Sequence, residues 1–186
     1  SEEISILLVS LFVFIYSFIL YVRTRLIFQH IALFYTSIFF LGSLGNLIFP
    51  NIEPWAGGLF LIATGLIWGL YTSNEVLGPS WLGYLLSTST MSIGFILLID
   101  DLLQKKDLLQ IILLIFGSVV FVWASIQLSE RVIFYIGGLG LIINLPRLIT
   151  ELLPDNIWPP LILFLVGGVL VAVGLYLNSV RENLKK

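Results

Sequence analysis

Seven stretches of this chain carry no acidic or basic side chain: residues 4–22, 31–51, 55–74, 76–99, 108–129, 132–146 and 157–180. Most of them reach or approach the ~20 residues that an α-helix needs to cross a bilayer core of about 30 Å. Few folds remain open to such runs. A water-soluble domain of this size leaves roughly a third of its unfolded surface exposed. This chain is 59% hydrophobic and 11% charged, against about 25% charged in a typical soluble domain, so it has too little polar surface for water. Lipid is the solvent such a surface requires. Open strands cannot pair their backbone groups in lipid, so the spans are helices. Barrel strands would alternate in polarity over ~10 residues, and no such alternation is seen.

The predicted spans are 4–22, 27–49, 55–74, 80–99, 108–128, 132–152 and 158–178. Pro50-Asn51-Ile52-Glu53-Pro54 separates the second from the third, and the Pro-rich stretch 153–160 the sixth from the seventh. Proline lacks the backbone donor and disfavours helix in the residue before it. Gly78-Pro79 breaks the chain before the fourth span. A long period overlies this pattern. Phe18-Ile19-Leu20-Tyr21, Trp68-Gly69-Leu70-Tyr71, Trp123-Ala124-Ser125-Ile126 and Val173-Gly174-Leu175-Tyr176 start at spacings of 50, 55 and 50 (68−18, 123−68, 173−123). Polar or charged residues follow each block. A fixed period of this kind sets architecture. The expectation is therefore an all-α, polytopic integral membrane protein: seven transmembrane helices in repeated hairpins of about 50 residues, forming one transmembrane domain over 1–186. Span one resembles the second half of a hairpin, which suggests an upstream helix in a longer chain.

Orientation follows from the loops. The turns at 23–26, 75–80 and 129–131 share a side with the C-terminal tail and hold Arg23, Arg25, Arg131, Arg181, Lys185 and Lys186. The other side holds Lys105, Lys106 and Arg147. The excess of basic residues places the tail in the cytoplasm. Trp55, Trp81 and Trp158 stand at span ends, where an indole anchors at the interface; stacking on a ligand is the alternative.

The candidate sites are few. Asn144, Arg147 and Glu151 are the densest polar set near lipid, with Arg147 and Glu151 four apart on one helix face. Pro146 beside them removes the donor for the Ile142 carbonyl. Polar groups at membrane depth are functional candidates, here for an anionic headgroup or a solute. The competing reading is an arginine that snorkels to the headgroups and pairs with Glu151. Span four carries Ser87-Thr88-Ser89-Thr90-Met91-Ser92, in which Ser89 and Thr90 are candidates for a polar path; close helix packing is the alternative. The one histidine, His30, is read as structural or interfacial, since nothing within a helical turn would orient its imidazole for catalysis. Asp100, Asp101 and Asp107 flank two lysines and are expected in a solvated outer turn. Paired carboxylates would otherwise suit a divalent cation. Gly65 and Gly69 form a GxxxG that favours close helix approach.

A net charge of −2 gives no electrostatic case for nucleic acid. With no cysteine, disulfides and thiolate metal sites are excluded. No acidic or basic residue occupies the middle of a span, where proton pumps and ion-coupled carriers need one. No HExxH, GxSxG or P-loop is present. No catalytic residue, metal or cofactor is expected.

Ser129-Glu130-Arg131-Val132-Ile133-Phe134-Tyr135-Ile136-Gly137-Gly138-Leu139-Gly140 and Gly167-Gly168-Val169-Leu170-Val171-Ala172-Val173-Gly174-Leu175-Tyr176 resemble parts of uncharacterised bacterial multi-span membrane proteins, classed as domains of unknown function. Those families repeat helical hairpins ending in Gly-Leu-Tyr or Gly-Leu-Trp before a basic cytoplasmic turn. The resemblance covers mainly the last 60 residues, and Ser125-Ile126 departs from it. It implies a bacterial inner membrane and transfers no catalytic residue. The functional expectation is a non-enzymatic scaffold or accessory subunit, with the bilayer and a membrane protein or a second copy as partners. The alternative is a carrier of a lipid or small uncharged solute.

Overall fold

Apolar runs bounded by proline, glycine and charge become helices. The structure, a computed structural model, describes residues 2–49, 53–103 and 107–152, together with 167, 168, 171, 172, 175, 176 and 179. Six helices follow in order: α1 (Glu2–Thr24), α2 (Ile27–Ile48), α3 (Pro54–Ser73), α4 (Ser80–Leu103), α5 (Asp107–Leu128) and α6 (Arg131–Leu152). Each is long and apolar enough to cross a membrane, and no strand occurs among the described residues. Every helix begins within two residues of its predicted start. α4 ends four residues beyond its predicted limit, so Asp100 and Asp101 belong to the helix and not to a turn. Backbone hydrogen bonding continues past the apolar stretch because carboxylates at a helix end can be hydrated.

The predicted seventh span, 158–178, falls largely outside the described residues; Gly167, Gly168, Val171, Ala172, Leu175 and Tyr176 within it are helical and exposed. Pro50, Lys105, Lys106, Trp158 and the charged tail from Arg181 also lie outside them.

Local chemistry sets the helix ends. Pro54 occupies the first position of α3, where its missing N–H costs nothing. Three helices close on a non-glycine residue in the left-handed region: Arg25 (φ 50°), Glu75 (φ 59°) and Ser129 (φ 54°). After α1 the Arg25 N–H returns to the Tyr21 carbonyl at 2.8 Å. After α3 and α5 the bond spans one residue more, Val76 to Tyr71 and Glu130 to Ser125, both 3.0 Å. These are the αL and Schellman closures that satisfy the last carbonyls of a helix. At the start of α2 the Gln29 side chain accepts from the Leu26 N–H at 3.3 Å and from the Thr24 hydroxyl.

The chain divides into two compact units, Ser1–Gly94 and Phe95–Lys186. In the first, α1 packs on α2, and Tyr21, Leu33, Phe34, Trp68 and Leu77 form the core. Phe34 meets Trp68 edge-on at 5.0 Å between ring centroids. α3 and α4 approach through small residues: a methyl on Gly94 would lie 2.6 Å from the Gly58 carbonyl oxygen. In the second unit α5 packs on α6 around Val122, Phe134 and Leu141. Large apolar side chains cover the outside of both; Phe12 and Phe28 are 74% and 84% exposed. Contiguous apolar surface of this kind suits lipid and not water.

Candidate functional site

The most concentrated polar chemistry in the first unit is a closed circuit at one end of α1, α2 and α3. Tyr21 comes from the last turns of α1, His30 from the first turn of α2, and Trp68 from the C-terminal half of α3. The fourth member is the backbone of Gly78, in the turn before α4. Trp68 Nε1 donates to His30 Nε2 at 3.1 Å. An indole N–H can only donate, so His30 Nε2 is an acceptor and the ring proton sits on Nδ1. That proton points at the Gly78 carbonyl, 3.0 Å away. Tyr21 Oη accepts from the Gly78 N–H at 2.9 Å and donates to the Gly78 carbonyl at 3.3 Å. His30 is fully buried. Both ring nitrogens are spent, which leaves no lone pair to hold a metal or to take a proton from a substrate.

This circuit pins the turn between α3 and α4 to the first three helices. Leu77, next to Gly78, is thereby held in the core. Beneath it lies a cavity of about 350 Å³ between α1, α2 and α3, floored by Leu33 and Trp68, with Phe14, Phe18, Ile67 and Leu77 among its walls. Two of its wall hydroxyls bond to their own helices: Ser37 to the Phe34 carbonyl at 2.7 Å and Thr64 to the Phe60 carbonyl at 2.9 Å. A second cavity, about 360 Å³, lies toward the start of α1 and the end of α2 and holds Glu3, Ser43 and Asn46.

Three hydroxyls of α4 go to backbone carbonyls. Thr90 donates to Leu86 at 2.8 Å and Ser92 to Thr88 at 2.8 Å. Ser87 crosses to α3 and donates to the Gly65 carbonyl at 2.7 Å, inside the GxxxG. Thr90 is buried and Ser89 partly so. The GxxxG of α3 thus faces α4, with Ser87 opposite both glycines.

Of the polar set on α6, Asn144 is buried and donates to the Gly140 carbonyl at 2.8 Å. Arg147 and Glu151 are exposed, and the bond in that turn runs from the Thr150 hydroxyl to the Arg147 carbonyl at 2.8 Å. α6 continues through Pro146 as one helix. Residues 153–166, which follow that end, lie outside the described residues. At the head of α6, burial raises the Glu130 carboxyl above its ordinary value. At the opposite end of α5, Gln110 donates to Asp100 at 3.4 Å. No group of three His, Cys, Asp or Glu positioned for a metal occurs among the described residues.

Sequence reasoning saw His30 as isolated because its partners lie 38 and 48 positions away. The available signal was the set of turn residues: Gly78-Pro79 marks a break, and a break beside buried aromatics needs donors for its backbone.

No family model, curated protein or solved structure matches this chain.

Proposed function

We propose that this chain is a non-enzymatic scaffold or accessory subunit of a membrane assembly. It spans the bilayer seven times in repeated hairpins, with its tail in the cytoplasm of a bacterial inner membrane. One observation carries the reading: most of the buried hydroxyls and the Asn144 amide donate to backbone carbonyls, His30 is spent on Gly78 and Trp68, and among the described residues no fully buried side-chain polar atom is left without a partner. Polar groups used in this way hold helices together, whereas a solute path presents free donors and acceptors. The left-handed closures at Arg25 and Glu75 are 50 positions apart (75−25), and that at Ser129 follows 54 later (129−75). That spacing supports the hairpin repeat.

The test is a pair of measurements on Ser89→Ala with Thr90→Ala in membranes. The expected outcome is unchanged expression and an unchanged complex on native electrophoresis, at a mass above the 20.9 kDa of one chain. A chain that runs as a monomer, and whose reconstituted vesicles show solute flux lost in the alanine variant, would overturn the scaffold reading in favour of the carrier. Of the α6 set of Asn144, Arg147 and Glu151, the two exposed members, Arg147 and Glu151, are proposed as a single headgroup contact at the outer surface, with Asn144 buried a turn deeper. Arg147→Gln should weaken binding of anionic over zwitterionic lipid in a vesicle assay.

A further inference from the structure

We propose that the cavity between α1, α2 and α3 is a binding site for one acyl chain of a membrane phospholipid. The chemistry of the wall selects the occupant. Its volume, about 350 Å³, falls within the ~300–1,000 Å³ of sites that hold small organic ligands. Its lining is aromatic and aliphatic apart from the Ser37 and Thr64 hydroxyls and the Tyr71 phenol. Of the four wall groups able to donate a hydrogen bond, Ser37, Thr64 and Trp68 are already committed at 2.7, 2.9 and 3.1 Å, and Tyr71 stands half exposed at the rim. A ligand with donors or acceptors would lose its hydration without replacement; a hydrocarbon chain loses nothing.

The cavity also needs filling. An apolar space of this size deprives its lining of dispersion contacts, and water cannot stabilise it without polar partners. The three surrounding helices are all of membrane-spanning length and hydropathy, so the material at their sides is lipid hydrocarbon. The floor residues Leu33 and Trp68 are buried, while Phe18, Ile67, Tyr71 and Val76 at the rim are half exposed. The site therefore opens outward toward lipid. The turn end is closed by Leu77, locked through Gly78 to Tyr21 and His30. This inference is independent of the scaffold reading.

Trp68 is the reporter. A variant with Trp55, Trp81, Trp123 and Trp158 changed to Phe retains Trp68 alone. It is reconstituted in phosphatidylcholine vesicles whose acyl chains carry bromine, a contact quencher. Although Trp68 is only 8% exposed, its quenching should match that of a variant retaining only Trp123, which is 61% exposed. Filling the cavity with Ser37→Leu and Thr64→Leu should cut Trp68 quenching at least twofold. The same pair in the Trp123 variant should leave quenching unchanged, which also reports that the protein is folded. Native mass spectrometry provides a second readout: the unfilled protein should keep one brominated phospholipid through detergent exchange. A Trp68 quenched no more than a buried residue would overturn the proposal. So would equal quenching in the filled variant, or a protein that carries no phospholipid.

Discussion

The first three helices and the α5–α6 pair represent two ways of joining apolar helices where no hydrophobic drive exists between them. At the ends of α1, α2 and α3, large side chains meet: Tyr21, His30 and Trp68 are linked by hydrogen bonds that lead to one glycine backbone, and Phe34 packs edge-on against Trp68. Between α5 and α6, side chains are missing where the helices touch. A methyl on Gly137 would lie 2.8 Å from the Ser118 carbonyl oxygen and 2.9 Å from the Val122 nitrogen. The first joint includes a turn and leaves a cavity beneath it; the second is a direct backbone approach. The difference has a physical root. Lipid tails are as apolar as leucine, so association relies on close van der Waals contact or on polar bonds, and each joint uses mainly one of these.

The largest expected effect tests the close approach. Gly137→Ala inserts a methyl against backbone atoms that cannot rotate away. It should destabilise the protein by ~1–3 kcal/mol, the usual range for overpacking, measured by reversible unfolding in mixed detergent micelles. Gly140→Ala meets only the Ser118 side chain, which can turn at the loss of its bond to Leu114, so its cost should be smaller. Equal costs for the two would show that the contact is governed by side chains and would break the contrast.

The circuit is tested by His30→Leu. This change strands the Trp68 N–H and leaves the Gly78 carbonyl only the longer bond from Tyr21, 3.3 Å. In membranes each interhelical hydrogen bond is worth about 0.6 kcal/mol on average and up to ~1.7, so a loss of about 1–2 kcal/mol is expected in the same assay. Hydrogen exchange of the α3–α4 turn should rise with it. A turn that stays protected would mean that Tyr21 alone holds Gly78.

The helices were legible in the sequence because length and hydropathy are strong constraints in lipid: a run of that length has one way to satisfy its backbone. The turns were legible from proline and glycine. The circuit was not, since a histidine in a first helical turn carries no local mark of partners on α3 and before α4. The α4 hydroxyls admit two readings because a serine that bonds its own helix and one that lines a path share a sequence; the bond from Ser87 to Gly65 depends on where α3 lies. Asn144 was placed in a polar set by its spacing, but burial separates it from the exposed Arg147 and Glu151.

A third prediction concerns the turns that both joints share. Ser129 holds φ 54°, a region that costs an L-residue roughly 1–2 kcal/mol. Glycine removes that cost but loses about 0.5–1 kcal/mol more backbone entropy on folding. Ser129→Gly should therefore stabilise the α5–α6 turn by no more than ~1.5 kcal/mol, and Ser129→Ala should give no gain. A gain from alanine would show that the serine side chain, and not the backbone, sets the cost.

The smallest effect lies one residue further. Glu130 sits at the head of α6, partly buried, and desolvation raises its carboxyl above the ordinary value of 4.5. The folded state therefore holds the proton more tightly than the unfolded chain, so across that interval it binds more protons and stability falls as pH rises. The contribution is fully present below the ordinary glutamate range and is lost as pH rises through the folded value. At neutral pH the ionised carboxylate sits in surroundings that disfavour it. Glu130→Gln removes the titration while keeping the side chain's size. The variant should lose this part of the acid-side rise in stability that the parent chain gains between neutral pH and about pH 4, read as the difference between the two unfolding curves. Because the group keeps access to water, the difference should be the smallest of those argued here. A variant whose stability tracks the parent at every pH would assign the acid response to other carboxylates and leave the α5–α6 joint independent of its turn.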